Sequence, residues 1–323
     1  MAGLRGNQAW LMAAKQTAKG TPATVAALTT YKEPLTGGNI SPTRETDNLS
    51  ETDSSRDQGN TFVVTSGVEG SPEFYVRDTI AFWLHKALGT DTPTGTTNYV
   101  HVITPAASLP YITCWKMLGD TLWERFSDCK VGSLTISAEA GQPLTATAGI
   151  QGVTTTRLTA DPSLSPAIAL NSVQAPHSFN QATITLGGGA TALIRSFELT
   201  IENNLTAQQT DNVEAYDVVE GTREVSLGFD LIFETLDEYN KFHYGGAAGT
   251  VISPTIFTTS AVFTFTQGTN NEVSFNLPAI AYEEFPVEPD AGGDPVVASV
   301  RAVAQRGGSP VVTATVKNQI ATY

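Results

Sequence analysis

The feature that most constrains this chain is a strict alternation that breaks abruptly into a helix. Val225, Leu227, Phe229, Leu231 and Phe233 alternate with Glu224, Ser226, Gly228, Asp230 and Glu234, with Ile232 the exception. A period of two belongs to a strand with one face buried. Thr235 and Glu238 then have the spacing of a capping box, which predicts a helix start. Leu236, Tyr239, Phe242 and His243 follow at helical spacing, and Gly245 stands where a helix end needs positive φ. The unit reads as a strand, a cap and one short amphipathic helix.

The rest of the chain reads as strand or loop. At 323 residues it is long enough for about two domains. Hydrophobic residues make up 41%, which excludes a disordered chain, and charged residues only 15%. A net charge of −14 argues against tight binding of phosphate backbones. Two cysteines, Cys114 and Cys129, make neither a disulfide framework nor a zinc site. No secretory signal or run of about 18 apolar residues is evident, so no membrane span is expected. These features point to assembly in a reducing cytoplasm.

Residues 1–33 read as an N-terminal arm, in which residues 10–16 fit a helix or an extended segment equally well. Residues 41–60 contain almost no apolar side chain and read as a long loop, either functional or disordered. Residues 61–77 read as a strand interrupted by Pro72. Asp78 is the expected N-cap of a helix whose stripe is Ile80, Trp83, Leu84 and Ala87, and Gly89 closes it. Strands are expected at 99–103 and 111–118, with a hairpin over 131–150. Residues 154–181 read as a linker. A second set follows: strand 192–202, a polar loop over 203–221, the unit described above, strands 261–266 and 273–281, and a closing hairpin over 295–316.

The two sets match in order. LTGGNISPTRETDN from Leu35 lies against LTIENNLTAQQTDN from Leu199, and the helix starting at Asp78 lies against the one at Thr235. Both closing hairpins turn through Gly-x-Pro, at Gly141 and Gly308. Shared order at a near-constant offset suggests a tandem duplication. The expected architecture is mainly β. It has a first domain over 34–153 and a second over 182–323, each a sandwich or barrel with one short flanking helix. Ile80, Trp83, Leu84, Leu236, Tyr239 and Phe242 are the expected helix-packing residues.

Four stretches carry a resemblance: KQTAKGTPAT (15–24), LTGGNISPTR (35–44), DTIAFWLHKALG (78–89) and FSDCKVGSLTISAEAGQPLTATAGIQG (126–152). In these, and across almost its whole length, the chain resembles the major tail tube proteins of long-tailed bacteriophages of the siphovirus type. The resemblance implies two tail-tube-type domains whose sheets join those of neighbours around a lumen, in rings that stack into a tube. It implies that the segment over 41–60, with Arg44, Glu45, Asp47, Glu51, Asp53, Arg56 and Asp57, contacts adjacent subunits and rings. Two domains per chain imply trimeric, pseudo-hexameric rings; hexameric rings are the alternative. The implied partners are further copies, a tape measure protein, and terminator and tail-tip proteins. DNA would pass through the lumen without sequence-specific binding. The implied location is the virion tail.

No nucleophile elbow and no His-x-x-x-His pair occurs, so no enzyme, metal or cofactor is expected. The acidic clusters around Glu45–Asp53 and Glu283–Asp294 lack EF-hand spacing and read as solvated loops. The competing readings are a tail terminator or baseplate hub, which form single rings, and a non-viral β-sandwich binding protein.

Overall fold

The computed structural model describes residues 8–51, 57, 59–119, 121–170, 174–187, 189, 193–287, 295–307 and 310–323. The chain begins with β1 (Ala9–Lys15), β2 (Thr30–Pro34), β3 (Ile40–Asn48), β4 (Thr61–Gly70), β5 (Glu73–Tyr75) and helix α1 (Ile80–Leu88). Next come β6 (Gly89–Thr94), β7 (Tyr99–Pro105), β8 (Ile112–Leu118), β9 (Leu122–Glu139), β10 (Thr145–Gly152) and β11 (Thr154–Arg157). The second half holds β12 (Ala182–Leu186), β13 (Ile194–Glu202), β14 (Thr206–Gln208), β15 (Asp217–Val219), β16 (Glu224–Ile232) and α2 (Asp237–Tyr244). It ends with β17 (Thr258–Thr266), β18 (Glu272–Glu284), β19 (Val297–Ala304) and β20 (Thr313–Asn318).

The fold is mainly β and antiparallel. β9 is its spine: the first part pairs with β8 and β11, the last part with β10 and β13. β18 is used in the same way, with β17 on one edge and β20 then β19 on the other. β1 lies beside β8 as β12 lies beside β17. The ribbons β3–β4 and β13–β16 lie beside β10 and β19. Two further ladders join the halves, β13 on β9 and β20 on β7.

The alternation read from the sequence becomes β16. Val225, Leu227, Phe229 and Leu231 are buried, while the residues between them turn away from the core. α1 is buried along its whole length, with Trp83 packed edge-on against Phe82 at 5.3 Å and tilted against Phe74. Gly89 (φ 111°) and Gly245 (φ 73°) end the two helices as expected.

Several expectations change. The segment read as an arm enters the fold: β1 sits between β2 and β8 and is buried on both faces. Leu11 and Ala13 face the main core, whereas Met12 and Ala14 face a second cluster with Trp115 and Met117. The polar stretch from Ser41 is not a loop up to Asn48 but strand β3, whose pairing with β4 needs no apolar side chain. The segment read as a linker opens with strand β11. The polar loop over 203–221 carries the β14–β15 ribbon. The closing hairpin does not form: β19 and β20 both pair with β18, and β20 goes on to β7. Neither helix has a side-chain N-cap. Thr79 and Leu236 occupy the cap positions, and Glu238 is drawn instead to Lys241 and Tyr282.

Lys86 lies fully buried in α1, its Nζ 3.2 Å from His85 Nδ1 and 4.9 Å from the Phe82 ring centre. Burial and the charge of Lys15 pull its pKa down to about 7, against a raising effect from Asp91. A base lowered in the folded state costs stability increasingly as pH falls from its unfolded value towards about 7, and a constant amount below that. Above pH ~10, raised tyrosines such as Tyr31 act in the opposite direction. Lys86→Met is therefore expected to stabilise the chain at pH 7, by roughly 1–3 kcal/mol, and to flatten the rise in stability between about pH 7 and pH 9.5. Thermal unfolding across that range measures both effects.

Candidate functional site: a continuous sheet, its polar face and its open edges

One sheet runs through both halves in the order β3–β4–β10–β9–β13–β16–β19–β18. Its core face is apolar: Leu134, Ile136, Ala146, Ala148, Leu199, Ile201, Leu227 and Val300 are all buried. The opposite face is polar. It presents Ser133, Thr135, Ser137, Thr145, Thr147 and Thr200 together with the acids Glu69, Glu139, Glu198, Glu202, Glu224 and Asp230. Alternation along each strand produces the two faces.

Hydrogen bonds tie the polar face together across strands. Thr135 and Thr200 hydroxyls lie 3.1 Å apart, and those of Ser137 and Thr145 lie 3.2 Å apart. Ser196 and Ser299 both donate to the Asp230 carboxylate at 2.7 Å. The face is hollowed: a depression of about 670 Å³ is floored by Ser137, Glu139, Ser196, Glu198, Asp230 and Arg301. A second hollow lies between Glu69, Ser133, Gln151 and Glu202. Arg301 on this floor is paired with Glu283 at 3.5 Å, and the short hydroxyls and carboxylates around it offer no cationic anchor for a polyanion.

The sheet has two open edges among the described residues. β3 pairs on one side only, with β4. β18 is paired by β17 up to Ala281, and beyond that only by β19. Unpaired strand edges are ready templates for another chain.

The junction between the halves is clamped by polar groups that the sequence reading did not single out. Asn203 donates from Nδ2 to the Ala87 and Val131 carbonyls at 3.0 and 3.1 Å. Arg223 donates to Asn203 Oδ1, to the Ala106 carbonyl at 2.8 Å and to the Leu88 carbonyl. The C-terminal carbonyls of α1 thus receive donors from the second half of the chain. Beside them, Glu220 takes the Leu109 amide and pairs with Lys130 at 2.9 Å. Burial raises the Glu220 carboxyl, but these two donors outweigh it and leave its pKa lowered. Asp217 accepts from Tyr111 and pairs with Lys19. Only the three-dimensional pairing of β13 with β9 brings these groups to α1.

The residues expected to make contacts between subunits lie along the β3–β4 ribbon. Arg44, Glu45 and Asp47 are exposed on β3, and Glu45 accepts from Thr65 at 3.1 Å. Glu51 and Asp57 are exposed in the connection, while Asp53 and Arg56 lie outside the described residues. Of the expected helix-packing residues, Ile80, Trp83 and Leu84 are fully buried. Tyr239 and Phe242 are half-buried against Phe285, with ring centres 6.0 and 6.3 Å away. Leu236 does not pack: it precedes the helix and is 57% exposed.

Asn203→Ala removes the donor to two buried carbonyls and the partner of Arg223. It is expected to cost about 2–3 kcal/mol and to speed amide exchange at the end of α1. A denaturation midpoint shift at constant slope, with exchange rates at Ala87 and Leu88, checks it.

A family model described as phage tail tube protein matches residues 6–316. No curated protein matches the chain significantly. With a mainly β fold and a match over nearly its whole length, the chain belongs to the phage tail tube protein family.

Proposed function

We propose that this chain is a structural tube subunit: copies close into rings by continuing the sheet from one chain to the next, and rings stack around a lumen for DNA. The observation that carries this reading is the β13–β9 ladder, which runs from Ser196 opposite Glu139 to Glu202 opposite Ser133. It joins a four-stranded block (β3, β4, β10, β9) to a second block with equivalent pairings (β13, β16, β19, β18). Equivalent pairings in both halves support a tandem duplication. The same junction used between chains would set β3 of one copy beside the open end of β18 in the next.

Three copies would then form a wall of 24 strands. At a strand spacing of ~4.8 Å and a tilt of ~40°, such a barrel is roughly 45–50 Å across between backbones, enough for a DNA duplex. Six copies with both blocks in the wall would double that width. A hexamer would therefore need the second block to leave the wall, which its ladder with β9 opposes. Trimeric, pseudo-hexameric rings are the reading we adopt.

The polar face would line the lumen. A surface of hydroxyls and carboxylates repels phosphate and lets DNA slide. The role is mechanical rather than catalytic. In a virion the ends of the tube would meet terminator and tail-tip proteins, and the lumen would hold a tape measure protein before DNA enters. Assembly would take place in the host cytoplasm.

Negative-stain microscopy of the purified protein tests the assembly: stacked rings with a central hole and threefold symmetry are expected. Single rings that never stack would favour a terminator or hub instead. Replacing Glu139, Glu198 and Glu224 together by Lys is expected to leave tube formation intact and to slow genome release. Release at the native rate from particles built with that variant would show that these acids do not face the DNA.

A further inference from the structure

The segment that follows β20 is tied down by a buried histidine. His101 of β7 is 0% exposed, and each of its ring nitrogens faces an oxygen acceptor. Nδ1 lies 2.9 Å from Asp91 Oδ2 of β6, and Nε2 lies 2.8 Å from the Ile320 carbonyl. A neutral imidazole carries one N–H and serves only one such acceptor, whereas the doubly protonated ring serves both. The Asp91 side chain is 5% exposed, so its charge needs a partner inside the chain.

The segment folds back towards the start of α1. Tyr31 donates to the Thr322 carbonyl at 2.6 Å, and the Ile320 amide donates to Asn318 Oδ1 at 2.9 Å. Asn318 and Tyr323 both donate to the Asp78 carbonyl. The Tyr323 ring lies against His101 and Tyr31, with ring centres 4.8 and 5.1 Å away. Gln319, Ala321 and Thr322 are exposed, so these few contacts hold the segment. Besides Asp91, the titratable groups around the ring are His85 and Lys86 of α1, Tyr31 of β2 and Tyr323; Lys15 of β1 acts on His85 and Lys86. On β20, Asn318 is uncharged and Lys317 is paired with Glu272 at 2.8 Å. Burial, with the charge of Lys86, holds His85 neutral by lowering its pKa to about 3. Burial alone would lower His101 as well, but its bonds to Asp91 and to the Ile320 carbonyl outweigh that and leave its pKa raised.

We propose that His101 carries two protons in the folded chain and works as a proton-operated latch: the charged ring holds residues 319–323 near the start of α1, and loss of the Nε2 proton to solvent lets them go. The remaining proton stays on Nδ1, where the Asp91 carboxylate keeps it. Nε2 then turns a lone pair towards the Ile320 carbonyl, and that hydrogen bond is lost. Because the folded-state pKa is raised, the stabilisation is complete below the ordinary 6.5 and disappears as pH rises through the raised value. This loss runs against the gain that comes from neutralising Lys86 as pH rises, so the two buried bases have opposite signatures.

Nitrogen-15 spectra of the histidine rings in the full chain test the charge. At pH 6, His101 is expected to show two protonated nitrogens, its signals being those that vanish in His101→Gln. A ring with one protonated nitrogen at that pH would overturn the proposal. Amide exchange tests the latch. As pH is raised from 6 until the ring has lost its proton, the protection of the Ile320 amide, corrected for the intrinsic effect of pH, should fall at least tenfold while β9 stays protected. Protection that persists after the ring titrates, or that is lost before it does, would overturn the latch. Lys86→Met separates the two buried bases: the loss should occur at the same ring titration in this variant, and its disappearance would assign the effect to Lys86 and overturn the role of His101. Asp91→Asn is expected to lose the Ile320 protection already at pH 6, and native protection in that variant would count equally against the latch. Should Asp91→Asn not fold, the spectra and exchange of the native chain decide.

Discussion

The pairing of β13 with the last part of β9 is the interaction on which the rest of the structure depends. β9 can take part because it changes partners midway, leaving β8 and β11 for β10 and β13. The change falls near Asp128, whose φ of 54° lies in the left-handed region. That conformation costs on the order of 1 kcal/mol or more for a residue with a side chain. The Asp128 carboxylate offsets the cost by accepting from Gln16 and from the Gly20 amide at 2.7 Å. Close packing holds the bend: a Cβ on Gly152 would meet the Cys129 sulfur at 2.3 Å. Two sheets therefore share one strand, and the second half of the chain attaches to the freed edge.

From that attachment follows the unequal treatment of the two helices. A helix against one end of a small sandwich has an outer side that its own domain cannot cover. For α1, strands β6, β7 and β9 of its own half pack against it and β20 of the other half completes the cover, consistent with the apolar sequence IAFWLHKAL. At its C-terminal end Asn203 and Arg223 take the Ala87 and Leu88 carbonyls, and just before its start Asn318 and Tyr323 bind the Asp78 carbonyl. α2, DEYNKFHY, keeps its charges and aromatic residues at an exposed surface. The difference in composition between two helices of similar length is thus a record of what lies over each.

How far the sequence revealed this depends on what each residue packs against. β16 was legible because it has one dry and one wet face, so its pattern has period two. β1, AWLMAAK, was not, because Leu11 and Met12 enter different cores and a strand buried on both faces does not alternate. β3 was missed for the opposite reason: Arg44, Glu45, Thr46 and Asp47 are all exposed, so backbone pairing alone makes this part a strand. The echo between the segments starting at Leu35 and Leu199 aligned β3 with the connection after β13. By pairing partner, the counterpart of Ile40–Asn48 is Ile194–Glu202. Tyr239 and Phe242 were recognisable from helical spacing, but Leu236 was not separable from them, since one residue before a helix and one inside it look alike in a heptad pattern. The polar face was implicit in the Ser, Thr and acid positions of each strand. Its continuity across both halves was not, because strand order is a long-range property.

Charge sets the last constraint. Every copy carries −14, and bringing copies together concentrates that charge. Ion pairs across the interfaces cannot be the main attraction when acids outnumber bases 32 to 18. Attraction must come from interactions indifferent to sign: backbone hydrogen bonds at sheet edges and burial of apolar side chains. The chain has both to offer, a β3 edge unpaired among the described residues and the exposed apolar side chains Val251, Ile252 and Ile256. An acidic surface opposes non-specific contact between copies at long range, while open edges and apolar patches favour the one geometry in which strands register. In the proposed tube the same charge would keep the chain apart from DNA and from misaligned copies, and association would occur where the backbone can pair.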